Sequence, residues 1–365
     1  MRTYTVILST VLLLAATAPG LVVADNGADT SVQCSYPFTS TDATGTQVTV
    51  ADAPQRVVTL GPSAAQTMWE IGGKDKVVGV SKYAAYLEGS AAKRNVSGSG
   101  QTFVVAEKVV DLDPDVVLAP NIIPNATVDH LRTAGLTVYR FKPAGSVADI
   151  QEKTLLIGQL TDECPGASET VTRMESQLQT IREAVAGQDR PRALYSFFGY
   201  TAGSGTFIDE IITTAGGENV AASVGIKGYG QLNQEIVVQQ NPEWIILNSG
   251  APTVPKTEAY NGTEAVRNDQ IVVVDENYVS QPAPRIMQPI LTLVQAFHPD
   301  AYAAANATPT PPPTTTPTAT THEPITDSPT QSPPPTTTET DGQPGFGVLA
   351  VVIAVVLVGL ASRRR

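Results

Sequence analysis

The sequence is poor in the residues that build metal centres. It contains two cysteines and three histidines in 365 residues. Two cysteines are too few for a disulfide-built scaffold or a cysteine metal cluster. A zinc or manganese site needs several histidines with carboxylates, and one of the three, His322, lies in a Thr/Pro-rich segment. The composition therefore predicts no metal site, and no motif predicts a cofactor.

Positive charge is also scarce. Lysine and arginine total 23 against 35 acidic residues, which gives a net charge of −12. Nucleic-acid binding needs a basic surface, so this class of partner is excluded. Gly-Ser-Gly at 203–205 lacks the lysine and the spacing of a phosphate-binding loop, and no nucleophile stands in a motif with a base. The chain is therefore predicted not to be an enzyme.

Both ends of the chain have compositions that differ from the middle. Residues 1–24 combine one arginine, an apolar stretch and small residues before Ala24, which is typical of a secretory signal peptide. Residues 25–55 form an N-terminal segment. Thr, Pro, Ser and Ala dominate 303–343, which predicts an extended stalk. In 344–365, an apolar run is followed by three arginines, the pattern of a membrane anchor with a cytoplasmic end.

The middle of the chain contains one pattern twice. Residues 106–118 read AEKVVDLDPDVVL and residues 234–247 read QEIVVQQNPEWIIL. In each copy a glutamate, Glu107 or Glu235, stands seven residues before a proline that precedes an acidic residue and an apolar run. Each copy predicts a short helix that ends before the proline and leads into a buried strand. Strands of this kind belong to parallel sheets covered on both faces.

Elements around the two copies also match. A strand, a Gly-containing turn, a helix and a double glycine precede each copy, at 57–73 and 193–220, and a further strand follows each, at 135–141 and 270–276. The sequence therefore predicts an α/β fold of two Rossmann-like lobes with mostly parallel sheets, at 56–145 and 189–302. Between them, 146–188 is predicted to be a long, stiff connecting helix that begins at a Ser146/Asp149 capping box and breaks at Cys164-Pro165-Gly166.

The order of lobe, connecting helix and lobe resembles the class III substrate-binding proteins of ABC importers, which include vitamin B12-binding and ferric-siderophore-binding proteins. The matching stretches are RVVTLGPSAAQTMWEIG, KVVGVSKY, EKVVDLDPDVVL, AGGENV, QEIVVQQNPEWIIL and APRI. The resemblance implies that a ligand lies between the lobes and passes to a membrane permease and its ATPase. It also implies that Glu107 and Glu235, one on each lobe, are permease-docking residues. The alternative for both glutamates is a favourable position in the first turn of a helix.

Candidate ligand contacts follow from the fold, because ligands of α/β sheets lie at the carboxyl ends of the strands. Tyr83 matches a tyrosine that lines the B12 pocket in the resembling family, and Gln101 falls near a tryptophan there. Phe198 and Gly199 are also nominated, and Arg285 is predicted to pair with an anionic ligand. Ordinary half-buried packing is the alternative for each tyrosine. The candidate contacts are Ser63, Tyr83, Gln101, Phe103, Tyr200, Tyr229, Tyr278 and Arg285.

The C-terminal end resembles the PGF-CTERM sorting signal of archaeal surface proteins, through Pro344-Gly345-Phe346, the apolar run and the terminal arginines. This resemblance implies that an archaeosortase removes the helix and that a lipid replaces it; a retained anchor is the alternative. Either reading places the folded part on the outer face of the cell membrane. Cys34 and Cys164 are predicted to form a disulfide in that oxidising environment, with two free buried thiols as the alternative. Candidate glycosylation sites are Asn95, Asn125, Asn261 and Asn306.

These observations favour the ligand-binding component of an ABC importer for a cobalamin-type corrinoid or an iron chelate such as a ferric siderophore or haem. The alternative is a ligand-sensing or adhesive surface module on the same fold without a permease. Permease and ATPase genes next to the gene for this protein would favour the importer. Chemical turnover of a ligand would instead favour an enzyme. The stiff connector predicts that the lobes close only slightly on ligand binding.

Overall fold

The computed structural model describes residues 33–100, 103–231 and 233–307. These residues form two α/β lobes joined by two long helices, with a β-hairpin before the first lobe. The predicted signal peptide, the sorting motif at Pro344, Gly345 and Phe346, and Gln101 lie outside the described residues, as does most of the predicted stalk. None of the helices in the described residues is long and apolar enough to cross a membrane.

The N-terminal lobe is built on a five-stranded parallel sheet. The hairpin β1–β2 lies beside this lobe, and three short helices connect its strands. The elements of this part are β1 (Phe38–Thr41), β2 (Gln47–Val50), β3 (Val57–Thr59), α1 (Pro62–Glu70), β4 (Val77–Val80), β5 (Arg94–Asn95), α2 (Ala106–Val110), β6 (Val116–Ala119), α3 (Asn125–Thr133) and β7 (Val138–Arg140). The strand order is β5-β4-β3-β6-β7.

Two helices follow, and the C-terminal lobe is built on a four-stranded parallel sheet and a separate two-stranded antiparallel sheet. The elements are α4 (Val147–Thr161), α5 (Cys164–Val185), β8 (Arg192–Ser196), β9 (Tyr200–Ala202), α6 (Phe207–Thr214), β10 (Glu218–Asn219), α7 (Val220–Ser223), β11 (Tyr229–Gln231), α8 (Gln234–Gln240), β12 (Trp244–Asn248), α9 (Glu258–Asn261), α10 (Glu264–Arg267), β13 (Ile271–Val274), α11 (Glu276–Val279), α12 (Met287–Phe297) and α13 (Pro299–Ala307). The sheet order is β10-β8-β12-β13, and β9 pairs antiparallel with β11.

The two sheets have the same topology. In the first lobe, β3 lies between β4 and β6, the strand that follows Pro114, and β7 lies next to β6. In the second lobe, β8 lies between β10 and β12, the strand that follows Pro242, and β13 lies next to β12. Thus β4-β3-β6-β7 corresponds to β10-β8-β12-β13, and β5 is an addition in the first lobe. The predicted two-lobe duplication is confirmed at the level of strand order. Each double glycine follows a helix, and its first glycine, Gly72 or Gly216, has a left-handed backbone conformation.

The apolar runs in both lobes are buried on both faces of the sheets. In β6, Val116 and Leu118 pack in one core cluster, whereas Val117 and Ala119 pack in the cluster on the other face. All four side chains are fully buried. Because neighbouring strand residues point to opposite faces, a continuous apolar run is what a sheet covered by helices on both sides requires.

The predicted connecting helix is a pair of helices that fold back on each other. Val147 and Ile150 of α4 pack in the core of the C-terminal lobe, and Ile157 and Leu160 pack in the core of the N-terminal lobe. Along α5 the order reverses, since Ala167 joins the first core and the later apolar residues join the second. The Ser146/Asp149 capping box at the start of α4 is confirmed. The predicted break at 164–166 is therefore a reversal of direction, and both helices touch both lobes.

Several contacts hold the reversal against the N-terminal lobe. Gly166 lies so close to α1 that a Cβ atom there would be 1.9 Å from the Ile71 carbonyl oxygen. Lys76 donates to the carbonyls of Thr161 and Asp162 at the end of α4. A disulfide joins Cys164, the first residue of α5, to Cys34, with the two Cα atoms 5.4 Å apart. The reversal is thus fixed to one lobe by packing, hydrogen bonds and a covalent link.

The C-terminal lobe extends beyond its predicted end at residue 302. Helix α13 continues to Ala307, so residues 303–307, which were assigned to the stalk, are helical. Tyr302 and Ala305 pack against the core of the lobe. The alanine-rich sequence AYAAANA favours a helix, and this local preference together with the packing explains the corrected boundary.

Candidate functional site

The two lobes meet through side chains that follow strands of both sheets. The rings of Tyr86, after β4, and Tyr278, after β13, lie 6.4 Å apart between their centroids. Gln66 in α1 donates to the Tyr86 hydroxyl at 2.8 Å and accepts from the backbone nitrogen of Arg285 at 3.0 Å. Burial raises the pKa of Tyr86 to about 12, so its hydroxyl stays protonated at neutral pH. These contacts place the carboxyl-end loops of the two sheets opposite each other.

Arg285 links the lobes by an ion pair. Its Nε donates to Oε1 of Glu70 at 2.7 Å, and its guanidinium lies 5.6 Å from the centroid of the Tyr278 ring. The side chains of Arg285 and Glu70 are each 24% exposed. Arg285 was predicted to pair with an anionic ligand. In this structure its charge is matched by Glu70, so the ligand contact stays a prediction.

Two of the predicted aromatic contacts lie side by side in the N-terminal lobe. The rings of Tyr83 and Phe103 lie 5.1 Å apart, and Nζ of Lys82 lies 5.1 Å from the Tyr83 centroid. The Tyr83 hydroxyl is buried and has no hydrogen-bond partner among the described residues. Ser63 is buried in the first turn of α1, just after β3. A buried hydroxyl without a partner is costly, and it marks the place where a ligand acceptor or donor would be matched.

A second aromatic group lies in the C-terminal lobe, at the edge of its core. The Phe197 ring centroid is 5.2 Å from that of Tyr195, 6.1 Å from that of Tyr200 and 6.1 Å from that of Tyr229. Tyr200 and Tyr229 come from the paired strands β9 and β11. Burial raises the pKa of Tyr195 and of Tyr229, so both hydroxyls are neutral. The structure therefore groups two of the predicted tyrosines around a phenylalanine that the sequence reasoning did not nominate.

Phe198 stands at the tip of the turn between β8 and β9. Its φ is +47°, and the φ of Gly199 is +82°. Phe197 and Tyr200 close the turn with two backbone hydrogen bonds of 3.0 and 2.8 Å. A two-residue turn with positive φ at both positions favours Asn-Gly, and a phenylalanine there is strained. The residue is nevertheless 48% exposed, just beyond the carboxyl end of β8.

The two predicted docking glutamates occupy equivalent positions. Glu107 is the second residue of α2 and Glu235 is the second residue of α8. Both side chains are exposed, and neither forms an ion pair with any described residue. Each helix is followed by a residue with positive φ, Asp113 at +43° or Asn241 at +40°, directly before the repeated proline. The repeat in the sequence is therefore a repeat of backbone conformation.

An arginine holds each of these helices to the first strand of its lobe. Nε of Arg56 donates to the carbonyls of Leu112 and Asp113, both at 3.1 Å. In the second lobe, Arg192 donates through Nε to the Gln240 carbonyl at 3.2 Å and through Nη2 to the Asn241 carbonyl at 3.3 Å. We call these two groups of contacts the arginine clips.

The acidic residue after each proline completes the clip. The carboxylate of Asp115 accepts from the backbone nitrogen of Arg56 at 2.8 Å, and that of Glu243 accepts from the backbone nitrogen of Arg192 at 2.7 Å. The sequence analysis missed both arginines. The signal was present, because an arginine directly precedes the apolar core of the first strand in RVVTL and in RALYS.

The remaining predicted sites have varied surroundings. Asn95, Asn125, Asn261 and Asn306 are all exposed. Thr263, the hydroxyl residue of the third sequon, is buried and donates to the Tyr260 carbonyl at 2.7 Å. Within the part of the chain that the structure describes, no group of three or more His, Cys, Asp and Glu residues is arranged to hold a metal ion.

Comparison with known proteins identifies the family. A sequence model described as "Periplasmic binding protein" matches residues 57–278, which span both lobes. The chain belongs to the periplasmic binding protein family. A curated member, the cobalamin-binding protein of Halobacterium salinarum (strain R1), is 42% identical over 283 residues, with 74% of this chain and 77% of that protein covered.

Solved structures of family members share the fold. The apo periplasmic heme-binding protein RhuT from Roseiflexus sp. RS-1 matches with a TM-score of 0.60 and 23% identity, covering 68% of this chain and 99% of that one. The periplasmic vitamin B12-binding protein BtuF of Vibrio cholerae matches with a TM-score of 0.58 and 21% identity, covering 70% and 99%. Both agree with the two-lobe α/β fold.

Proposed function

We propose that this family member is the ligand-capturing component of an ABC importer, and that its ligand is a cobalamin-type corrinoid or an iron chelate such as a ferric siderophore or haem. The observation that carries the proposal is the presence of an aromatic group after strands of each lobe, Tyr83 with Phe103 in the first and Phe197 with Tyr200 and Tyr229 in the second. Aromatic rings offer flat apolar area with a polar edge, which suits a large, partly planar ligand. The cobalamin-binding relative supports the corrinoid choice.

Glu107 and Glu235 are the proposed contacts with the permease, whose ATPase drives import. Both are exposed and unpaired within the described residues, and the lobes present them at equivalent positions. Two carboxylates related by an internal duplication match two arginines on a two-fold symmetric membrane protein. Such exposed pairs set orientation and association rate more than affinity. If the two glutamates only interacted favourably with the dipoles of their helices, transport would be unchanged when both glutamates are replaced.

The proposed location is the outer face of the cell membrane. The signal-like residues 1–24 and the PGF-CTERM-like residues 344–365 support export and anchoring at the C-terminus, and an archaeosortase is the enzyme that such a tail implies. An oxidising exterior is compatible with the Cys34–Cys164 disulfide and with glycans on the exposed sequons. The chain needs no catalytic group for this function.

Ligand binding tests the proposal directly. Residues 33–307 are titrated with cobalamin, cobinamide, haemin and several ferric siderophores, and both affinity and thermal unfolding are measured. At a ligand concentration of 100 times Kd, one member of the panel should stabilise the protein by about 2.7 kcal/mol. No binding by any member, or chemical turnover of one, would contradict the proposal.

Tyr83 provides a sharper readout in the same assay. The substitution Tyr83→Phe removes a buried hydroxyl that has no partner among the described residues, so stability should stay equal or rise slightly. Affinity for the bound member of the panel should fall by roughly 5-fold, the loss of about one hydrogen bond. An unchanged affinity would remove Tyr83 from the ligand site.

A further inference from the structure

Each docking helix exposes an apolar side chain next to its glutamate. Six large apolar residues are exposed in the described part of the chain. Two of them are Val110 at 38% and Val238 at 62%, which stand three residues after Glu107 and Glu235. The spacing between the two copies is again 128 residues, so both members of the pair are repeated with the helix.

Spacing along the helix puts each valine beside its glutamate. Residues three apart lie on the same helix face, so Glu107 and Val110 form one surface patch, and Glu235 and Val238 form a second. The preceding valines, Val109 and Val237, are fully buried and anchor the opposite face of each helix. We call the two surface patches the Glu–Val pairs.

The arginine clips fix the orientation of the Glu–Val pairs. Helices of five and seven residues are too short to be stable alone, and their direction depends on tertiary contacts. Each clip satisfies carbonyls at the end of the helix and ties them to the first strand of the lobe. The two Glu–Val pairs are therefore carried by equivalent, rigid supports at corresponding places on the two lobes.

We propose that the Glu–Val pairs are two copies of one docking contact, and that the partner is a membrane protein with two equivalent subunits. Each subunit presents a cation beside an apolar hollow, which receives the glutamate and the valine respectively. The inference rests on the proposed importer function and adds the apolar half of the contact. The negative charge of each glutamate requires a cation on the partner. Because the exposed valine is repeated on both lobes, each partner subunit is expected to present an apolar hollow.

The two halves of the contact respond differently to salt. The Debye length falls from about 10 Å at 0.1 M salt to about 3 Å at 1 M, so the attraction of each glutamate is screened. Burial of the uncharged valine side chains is not screened in this way. The valines should therefore carry a growing share of the association as salt increases, which distinguishes a mixed contact from a purely ionic one.

The test measures association of the full-length protein with the ligand-importing permease–ATPase complex of its source organism, purified in nanodiscs, from 0.1 to 2 M KCl. The variants are Val110→Thr, Val238→Thr and the double substitution. Val273→Thr, on the exposed valine of β13, is the matched control, and Glu107→Gln/Glu235→Gln measures the ionic half. Threonine keeps the size of valine and replaces a methyl group by a hydroxyl that the hollow would leave unpaired.

Each single Val→Thr variant should weaken association by about tenfold at every salt concentration, and the control should not. The loss caused by the Gln double variant should shrink as salt rises. Ligand affinity and melting temperature of all variants should match wild type, which excludes misfolding. Normal association of the Val→Thr variants, or an effect confined to one lobe, would overturn the paired contact. A wild-type protein that binds its ligand but no permease complex would overturn the importer function itself.

Discussion

Replacing Phe198 with asparagine tests whether this strained, partly exposed residue contacts the ligand. Phe198 holds φ +47° in a two-residue turn that Asn-Gly would fill without strain. An L-residue in this region costs about 1–2 kcal/mol, whereas the buried half of the ring contributes about 1 kcal/mol. The free energy of unfolding should therefore change by less than about 1 kcal/mol in Phe198→Asn.

The effect on ligand binding should be much larger. A ligand that covers the exposed 48% of Phe198 would gain about 1 kcal/mol of binding free energy from the buried apolar area. Contact between the phenylalanine ring and a flat face of the ligand would contribute about 0.5–1.5 kcal/mol more. We therefore expect the affinity to fall by roughly 10- to 60-fold. Titration calorimetry of the wild type and of Phe198→Asn, with the member of the ligand panel that the wild type binds, measures the affinities, and urea unfolding measures the stability. Equal affinities would show that the strained ring serves something other than the ligand.

Three further predictions concern the framework. Cys34→Ser/Cys164→Ser should destabilise the protein by about 4–5 kcal/mol in the chain-entropy model, because the bond closes a loop of sequence separation 130; equal urea midpoints of the variant and the oxidised wild type would refute this. Burial lowers the pKa of Lys153 from 10.5 to about 7. Between pH 7 and pH 10.5 the unfolded chain therefore binds a proton at Lys153 that the folded protein does not, and the free energy of unfolding should rise with pH. Unfolding midpoints at pH 6, 8 and 10 should therefore rise in the wild type relative to Lys153→Met, and parallel profiles would contradict the lowered pKa. Small-angle scattering should show only a slight contraction on ligand binding, since α4 and α5 pack on both cores and Arg285 binds Glu70; a large contraction would exclude the stiff connector.

Much of the fold was predictable because its signals are local. The apolar runs of β6 and β12, the left-handed glycines and the Ser146/Asp149 capping box each depend on a few neighbouring residues. Because these patterns occur twice in the same order, they also predicted two lobes of similar structure. The reversal between α4 and α5 was less accessible, because a helix break at Pro165 does not specify whether the next helix continues or turns back. That choice depends on the packing of Gly166 against Ile71, a contact distant in sequence.

The site was predictable only in part. The rule that ligands lie at the carboxyl ends of strands selected Tyr83, Tyr200 and Tyr229, which the structure places in two aromatic groups. It did not indicate that Arg285 would be matched by Glu70, because the pairing joins residues 215 positions apart on different lobes. For the arginine clips the sequence shows only half of the contact, the arginine in RVVTL and RALYS, because the backbone carbonyls that accept from it could belong to any residue.

The paired helices α4 and α5 have a consequence for the order in which the chain can fold. The two lobes look like duplicated units, yet the core of the first includes Ile157, Leu160 and Ala167, which follow its last strand by many residues. A chain that ends after β7 lacks these side chains and the partner of Cys34. The first lobe therefore cannot complete its core before the start of α5 has been synthesised, and the two halves are expected to unfold together in one transition.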